Sequence, residues 1–241
     1  MLVRTRAIVL RTIKYGEASF VADLLTEEYG RMSFLLHIPK TGKGKVKKQF
    51  FQPLSVLELV IDYRERKNLQ HIRDVRMAVQ MPGIALHPVK RALALFLQEF
   101  LYYVTRSEQR NAPLFLYIVE SLSWLDMAPD GDANFHLVFM LRLSRFVGFY
   151  PNLDDFVPGC LFDLREARFV RTVPLHPDFL RSDEAARLHD LFRMNYETMH
   201  LFRMSRQDRN RVTELALRYY RLHVPDMPEL KCLDVLKTLF D

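Results

Sequence analysis

The chain holds only two cysteines, Cys160 and Cys232, in 241 residues. Two thiols are too few for a disulfide framework, and their separation excludes a CxxC metal knuckle. Both read as small hydrophobic side chains kept reduced in a cytosol. Long apolar runs are also missing. No stretch reaches the roughly 18 residues that a membrane-spanning helix needs. The opening MLVRTRAIVLRTIKYGE is interrupted by Arg6, Arg11 and Lys14 and has no small-residue cleavage site, so it does not read as a secretory signal. A cytoplasmic protein is the expectation. Neither an internal repeat nor a low-complexity segment is present.

Enzyme signatures are absent as well. The sequence contains no GxGxxG, HExxH or GxSxG. The string Thr41-Gly42-Lys43-Gly44-Lys45 only imitates a phosphate loop. His37 stands where the cradle-opening glycine belongs, and Gly44 replaces the magnesium-binding hydroxyl. The eight histidines (37, 71, 87, 136, 176, 189, 200 and 223) do not cluster at ligand spacing. The pair Asp154-Asp155 reads as a solvated loop rather than a metal site. These absences place a scattered-residue hydrolase last among the readings and predict neither a catalytic residue nor a metal.

What the chain does have is positive charge, unevenly placed. Residues 1–80 carry 15 Lys+Arg against 8 Asp+Glu, whereas residues 81–241 carry 20 against 21. The overall excess of +6 therefore belongs to the first third, which predicts a local surface for a polyanion.

That same third reads as strands. Residues 6–14, 18–26, 31–38, 54–63 and 69–79 alternate apolar and polar side chains with period two, split by turns such as Tyr15-Gly16-Glu17 and Glu27-Glu28-Tyr29-Gly30. Five strands with a long polar connection before the fourth fit an OB-like barrel, and an SH3-like barrel nearly as well. Near Met81-Pro82-Gly83 the period changes to three or four. Helices are expected from Pro88, over 113–125, over 133–147 (apolar almost all round, hence buried), over 183–194 behind Ser182, and over 206–222, with 229–240 closing the chain. Residues 149–180, with four prolines, read as an irregular insert, within which 161–170 resembles a hairpin. The prediction is an α+β chain: a barrel domain over 1–80 and a helical domain over 81–241.

The candidate site follows from the charge. Lys40, Lys43, Lys45, Lys47 and Lys48 occupy one connection without an acidic residue, and Gly42 and Gly44 loosen it. Arg4, Arg6, Arg11, Lys14 and Arg31 are its neighbours. Tyr15, Tyr29, Phe34, Phe50 and Phe51 are interleaved, although Phe34 and one of Phe50 and Phe51 suit the core better. Cations neutralise phosphates and rings stack on bases of any sequence, which is what single strands require. About five neutralised phosphates on a single strand would give log K a slope near −3.5 against log salt. An RNA-binding OB protein, or a non-catalytic interaction scaffold whose basic loop only solubilises it, would share these features.

Particular residues then resemble a family. The run AIVLRTIKYGEASFVADLLTEEYGR (7–31), the loop PKTGKGKVKK, the entry Phe51-Gln52-Pro53-Leu54, and Leu143, Gly148, Phe149, Pro151, Asn152 and Leu153 are similar to the bacterial RecO DNA-repair proteins. The resemblance implies an OB-fold, binding of single- and double-stranded DNA, annealing of complementary strands, and work with RecR, and often RecF, in loading RecA onto gaps coated with single-stranded DNA-binding protein. It implies no nucleotide hydrolysis. Many relatives hold zinc with four cysteines just after the segment matching PNLDDF. Here Cys160 stands alone, so packing must replace the metal. Arg142 and Arg145, on an otherwise apolar helix, are candidates to receive the acidic, apolar-ended tail of single-stranded DNA-binding protein.

Overall fold

The computed structural model describes residues 1–37, 46–129 and 133–239. Five strands, β1 (Leu2–Lys14), β2 (Ser19–Thr26), β3 (Gly30–His37), β4 (Val56–Asp62) and β5 (Leu69–Val79), close into a barrel in the order β1-β2-β3-β5-β4. Closure needs one strand to serve two neighbours. The 13 residues of β1 pair with β4 over Leu2–Ile8 and with β2 over Ala7–Lys14, and the register shifts between Val9 and Arg11. Such a bulge bends a strand and lets it leave one sheet for another. The other seam is a short parallel pair, Ser33–Leu35 of β3 against Leu69–His71 of β5. A five-stranded barrel closed in this way is the OB-fold, which resolves the choice against an SH3-like barrel. Period-two alternation turns Ala7, Val9, Ala22, Leu24, Phe34, Leu36, Leu57, Leu59 and Ile61 inward, all essentially buried.

The compact units differ from the boundary that the change of period marks at residue 81. One comprises Met1–Met127 with Leu230–Leu239, the other Ala128–Glu229. The first therefore keeps three helices beside the barrel: α1 (Pro82–Leu86), α2 (Pro88–Val104) and α3 (Ala112–Met127). The reason is on β1. Ile8 and Leu10 face away from the barrel interior, yet both are buried, and α2 packs on that strand. The turn at Gly30, whose φ is +67°, lies so close to Glu108 and Gln109 that a Cβ would stand 2.4 Å from the Glu108 carbonyl oxygen. Asp126 at the end of α3 ties the first two helices, its carboxylate accepting from the Ile84 amide at 2.7 Å and its carbonyl from the buried Lys90 ammonium at 2.9 Å. A short closing helix, Leu233–Lys237, is capped from α2, where the Glu99 carboxylate accepts the amides of Lys231 and Cys232.

The second unit is built on α4 (Phe135–Leu143), buried all round except at Arg142, with α5 (Ser182–Arg193) and α6 (Arg206–His223). The hairpin expected in the insert is present as β6 (Leu161–Asp163) and β7 (Arg168–Val170), and β8 (Phe179–Leu180) adds a third strand. Rings fill this region. Phe149 stacks on His223 at 4.6 Å and meets Tyr220 edge-on at 4.8 Å, while Phe156 stacks on His189 at 4.2 Å. Cys160 is buried. Arg165 and Arg218 converge on Asp178 at 2.7 and 2.6 Å, tying the hairpin to α6 and holding that carboxyl below its usual range.

His136 in α4 is fully buried, with Nε2 2.9 Å from the Thr213 hydroxyl. That hydroxyl donates its own proton to the Arg209 carbonyl, so the imidazole is the donor of the pair. Burial, and then the charge of Arg209, pushes its pKa from 6.5 down to about 3. The unfolded chain therefore takes up this proton first. The stability that His136 contributes is complete above about pH 6.5 and is lost as pH falls towards about 3. Denaturation series between pH 7 and 4 should show stability falling with pH. His136→Gln should flatten that slope by up to about 1.4 kcal/mol per pH unit, and an unaltered slope would contradict the assignment.

Candidate nucleic-acid interface

The turn from β1 to β2 and the segment entering β4 meet at one end of the barrel. Lys14, the last residue of β1, lies opposite Phe20 of β2. The Lys48 ammonium stands 5.3 Å from the centre of the Phe20 ring. Lys47 and Lys48 are exposed at the start of a single 3-10 turn, Lys48–Phe50, which Phe51, 5% exposed, anchors into the core. Tyr15 is 71% exposed at the tip of the first turn, which the Tyr15 amide closes onto the Ser19 carbonyl. Two expected cations, Lys14 and Lys48, thus stand at a half-buried ring, and a third, Lys47, is exposed beside Lys48. Lys40, Lys43 and Lys45 lie outside the described residues.

Two other expected surface cations are drawn into the fold instead. Arg6 makes a bidentate pair with Glu27 at 2.7 and 2.6 Å and lies 5.4 Å over the Phe115 ring. The hydrogen bond from Arg6 holds the Glu27 carboxyl low. Arg31 is largely buried: it faces Asp23 at 3.6 Å, donates to the Tyr102 carbonyl at 3.2 Å and covers the Tyr102 ring at 4.5 Å. A sequence shows the charge but not the partner, and these partners lie 21 and 71 positions away. Arg11 stays exposed, its guanidinium 4.9 Å over the same Tyr102 ring, with Nη1 donating to the Tyr102 hydroxyl at 2.7 Å. Among the aromatics, Phe34 is core and Tyr29 stacks on Tyr63 at 4.5 Å, which leaves Tyr15 and Phe20 as the rings at the basic end.

A second basic loop escaped the sequence reading. Arg64, Arg66 and Lys67 are exposed in the turn between β4 and β5. The buried Gln70 amide shapes that turn, accepting from the Arg64 amide at 2.9 Å and donating to the carbonyls of Arg64 and Lys67 at 2.8 and 2.6 Å. The signal was present as Arg64-Glu65-Arg66-Lys67 immediately after an alternating strand. Between the two basic loops runs an outward row, Ile13 opposite Val21, Val21 opposite Leu35, and Leu35 opposite His71. OB-folds bind polymers on strands two and three and on the loops joining strands 1–2 and 4–5. Here that face has cationic ends and an aliphatic middle.

In the second unit the partners of Arg142 and Arg145 are not carboxylates. Arg142 donates through Nε to the Met194 carbonyl at 3.2 Å, and Arg145 lies 4.4 Å over the Tyr150 ring. Among the described residues no helix is long and apolar enough to cross a membrane, and no cluster of three metal-ligating side chains occurs.

Barrel topology and loops define an OB-fold protein with exposed cations on two of its loops. Comparison with known proteins narrows this. Residues 1–81 match the family model for the recombination protein O N-terminal domain, and residues 87–231 match that for its C-terminal domain. Proteins called DNA repair protein RecO from Phocaeicola vulgatus and Bacteroides fragilis are each 49% identical to the chain, and one from Porphyromonas gingivalis is 33% identical, all across the full length of both sequences. The chain belongs to the RecO family of DNA repair proteins.

The two kinds of arginine and lysine should separate in experiment. Arg6→Gln should cost about 1 kcal/mol of stability, since its pair is bidentate but partly exposed, and leave oligonucleotide affinity within about twofold. The double charge reversal Lys14→Glu, Lys48→Glu should leave the thermal midpoint nearly unchanged and weaken single-strand binding about tenfold or more at moderate salt. Fluorescence anisotropy beside thermal melts reads both.

Proposed function

We propose that this chain is a non-catalytic DNA-repair mediator that binds single- and double-stranded DNA, anneals complementary strands, and works with RecR, and with RecF where present, to let RecA load. It acts in the cytoplasm at the nucleoid and needs no metal or nucleotide. The observation that carries the reading is the placing of Lys14 and Lys48 at Phe20, with exposed Lys47 next to Lys48 in the chain.

Annealing brings two polyanions together, and a cationic surface lowers their repulsion. Contacts to the backbone leave base edges unread and available for pairing. The aliphatic row Ile13, Val21 and Leu35 contains no Phe, Tyr or Trp, so it offers little to hold bases by stacking. A strand is gripped by its phosphates at the loops while its bases remain free to meet a partner. A fluorescence annealing assay with naked and protein-coated strands tests this. The expected result is acceleration that falls with salt and drops at least severalfold in the Lys14→Glu, Lys48→Glu protein. Undiminished annealing by that variant would defeat the reading. Tighter binding to a matched RNA would favour the RNA-handling alternative, and no polynucleotide binding at any salt would favour a scaffold.

For the acidic, apolar-ended tail of single-stranded DNA-binding protein, the second unit offers a better seat than Arg142 and Arg145. A groove of about 870 Å3 between α5 and α6 has Leu188, Leu191, Val212 and Leu215 among its apolar lining, with Arg187 and Arg211 beside them. The apolar floor matches an apolar end, and of the mixed rim, which also holds Asp183, Glu184, Asp190 and Asp208, Arg187 and Arg211 are the side chains that suit the tail's carboxylates. Arg187→Glu with Arg211→Glu should weaken a synthetic tail peptide at least fivefold, whereas Arg145→Glu should not. The reverse ranking, measured by calorimetry, would return the site to Arg145.

A further inference from the structure

Where β1 passes the last turn of α2, Arg31 pairs with Asp23 while Arg11 and Arg106 stand close enough for their charges to act on Arg31. Arg31 faces Asp23 at 3.6 Å, and the same carboxylate accepts the Ser33 hydroxyl at 2.5 Å and sits opposite Arg11 across the strands. The neighbouring acids are engaged elsewhere, Glu27 with Arg6 and Glu28 with Arg110 at 2.9 Å. Burial lowers the Arg31 pKa first, and the like charges of Arg11 and Arg106 push it the same way against Asp23. Arg11 and Arg106 are both exposed. Positive charge is therefore concentrated at this spot beyond what the fold neutralises.

Resting on the DNA-binding reading, we propose that Arg11 and Arg106, beside Tyr102 at the end of α2, form a second phosphate-binding point, so that a single strand held at the barrel end continues over this helix. Four features support the extension. Arg11 is set in place before any ligand arrives, because its Nη1 donates to the Tyr102 hydroxyl and its plane lies over the Tyr102 ring. One of its five N–H donors is spent there, and a fixed fork suits phosphate oxygens. The Tyr102 ring has Arg11 and Arg31 over it, so it contributes position and not base stacking. Finally, Arg11 precedes Lys14 by three residues on the same strand, roughly 10 Å along it; the two side chains leave opposite faces, so one strand of DNA reaches both by turning over the end of the barrel. Cations near the C-terminal end of a helix also offset its dipole, but the buried Arg31 already does so by donating to the Tyr102 carbonyl. Two further exposed arginines are more than that task requires.

The extension predicts a dependence on strand length. An OB-fold alone covers roughly 4–16 nucleotides. Arg106→Gln should lower affinity for an oligothymidylate of about 30 nucleotides by about threefold or more and reduce the slope of log K against log salt by about 0.7, the value for one phosphate. Arg106→Glu should lower it further. Binding of an oligothymidylate of about six nucleotides should be unchanged in both. Arg106 follows the helix and is exposed, so neither change threatens folding, and Arg11→Gln is the confirming second site. Equal affinity and slope for the long strand in both Arg106 variants would overturn the extension. If Lys14→Glu, Lys48→Glu also left long-strand binding intact, the DNA-binding reading would fail instead. Weakening there alone would retain the reading and remove only the path over α2.

Discussion

The fold turns on a single extra residue in β1. Val9 faces the barrel interior opposite Leu24, and strict alternation would send Arg11 inward as well. The register shift at Leu10 places Arg11 opposite Asp23 on the outer face and puts Thr12 and Lys14 in line with the inward residues Ala22 and Phe20. A buried guanidinium in a barrel lined by Ala7, Phe34 and Leu57 would be prohibitively unfavourable. The same bulge bends β1 so that its first half reaches β4 and its second half β2. Barrel closure, the burial of Leu10 under α2, and the outward display of Arg11 beside Tyr102 are consequences of one local irregularity.

Much of this architecture was legible in the sequence because period-two and period-3.6 patterns report directly which face is buried. Strands at 6–14, 18–26, 31–38 and 69–79 differ from the observed ones by a residue or a few at the ends, and the apolar run at 133–147 is the buried α4. What was not legible depends on pairs distant in the chain. Arg6 and Arg31 look like Lys14 in a one-dimensional reading, yet Glu27 pairs with the partly exposed Arg6 and Tyr102 with the largely buried Arg31. The change of period at residue 81 marks where the strands end and where the two family models meet, while the compact unit that holds the barrel runs on to Met127 with α2 packed on β1. The cationic turn at 64–67 was overlooked for a different reason: its short run of charge was outweighed by the longer one at 40–48, although Gln70 gives it a defined shape.

The insert is held by side-chain packing. A region of turns and two- or three-residue strands has little regular backbone bonding of its own. Here its sheet is held to α5 and α6 by Phe156 on His189, Phe149 on His223, and the Arg165–Asp178–Arg218 bridge. Tyr219 and Tyr220 send their hydroxyls to the carbonyls of Phe149 and Met140, and burial raises the pKa of both phenols, so they remain donors at any physiological pH. Each such contact contributes on the order of 1 kcal/mol. Several acting on one segment add up to several kcal/mol.

The two cation types divide between these tasks. Residues 128–229 contain 14 arginines and no lysine, whereas lysines 14, 47, 48 and 67 all lie exposed in the barrel's loops or at its strand ends. Arginine's planar fork fits fixed partners, and the second unit uses it so, on Asp178, on the Met194 carbonyl and on the Tyr150 ring. Lysine is a hydrated point charge on a flexible stem, which neutralises a phosphate without fixing its orientation. A surface that promotes annealing must hold two strands near each other and then release the duplex. Contacts that are numerous, individually weak and indifferent to geometry meet both demands, because each can exchange with water and salt while the others persist. In the function proposed, lysines at the barrel end would supply that grip, and the exposed arginines at the end of α2 would add the one point where the strand's direction is set.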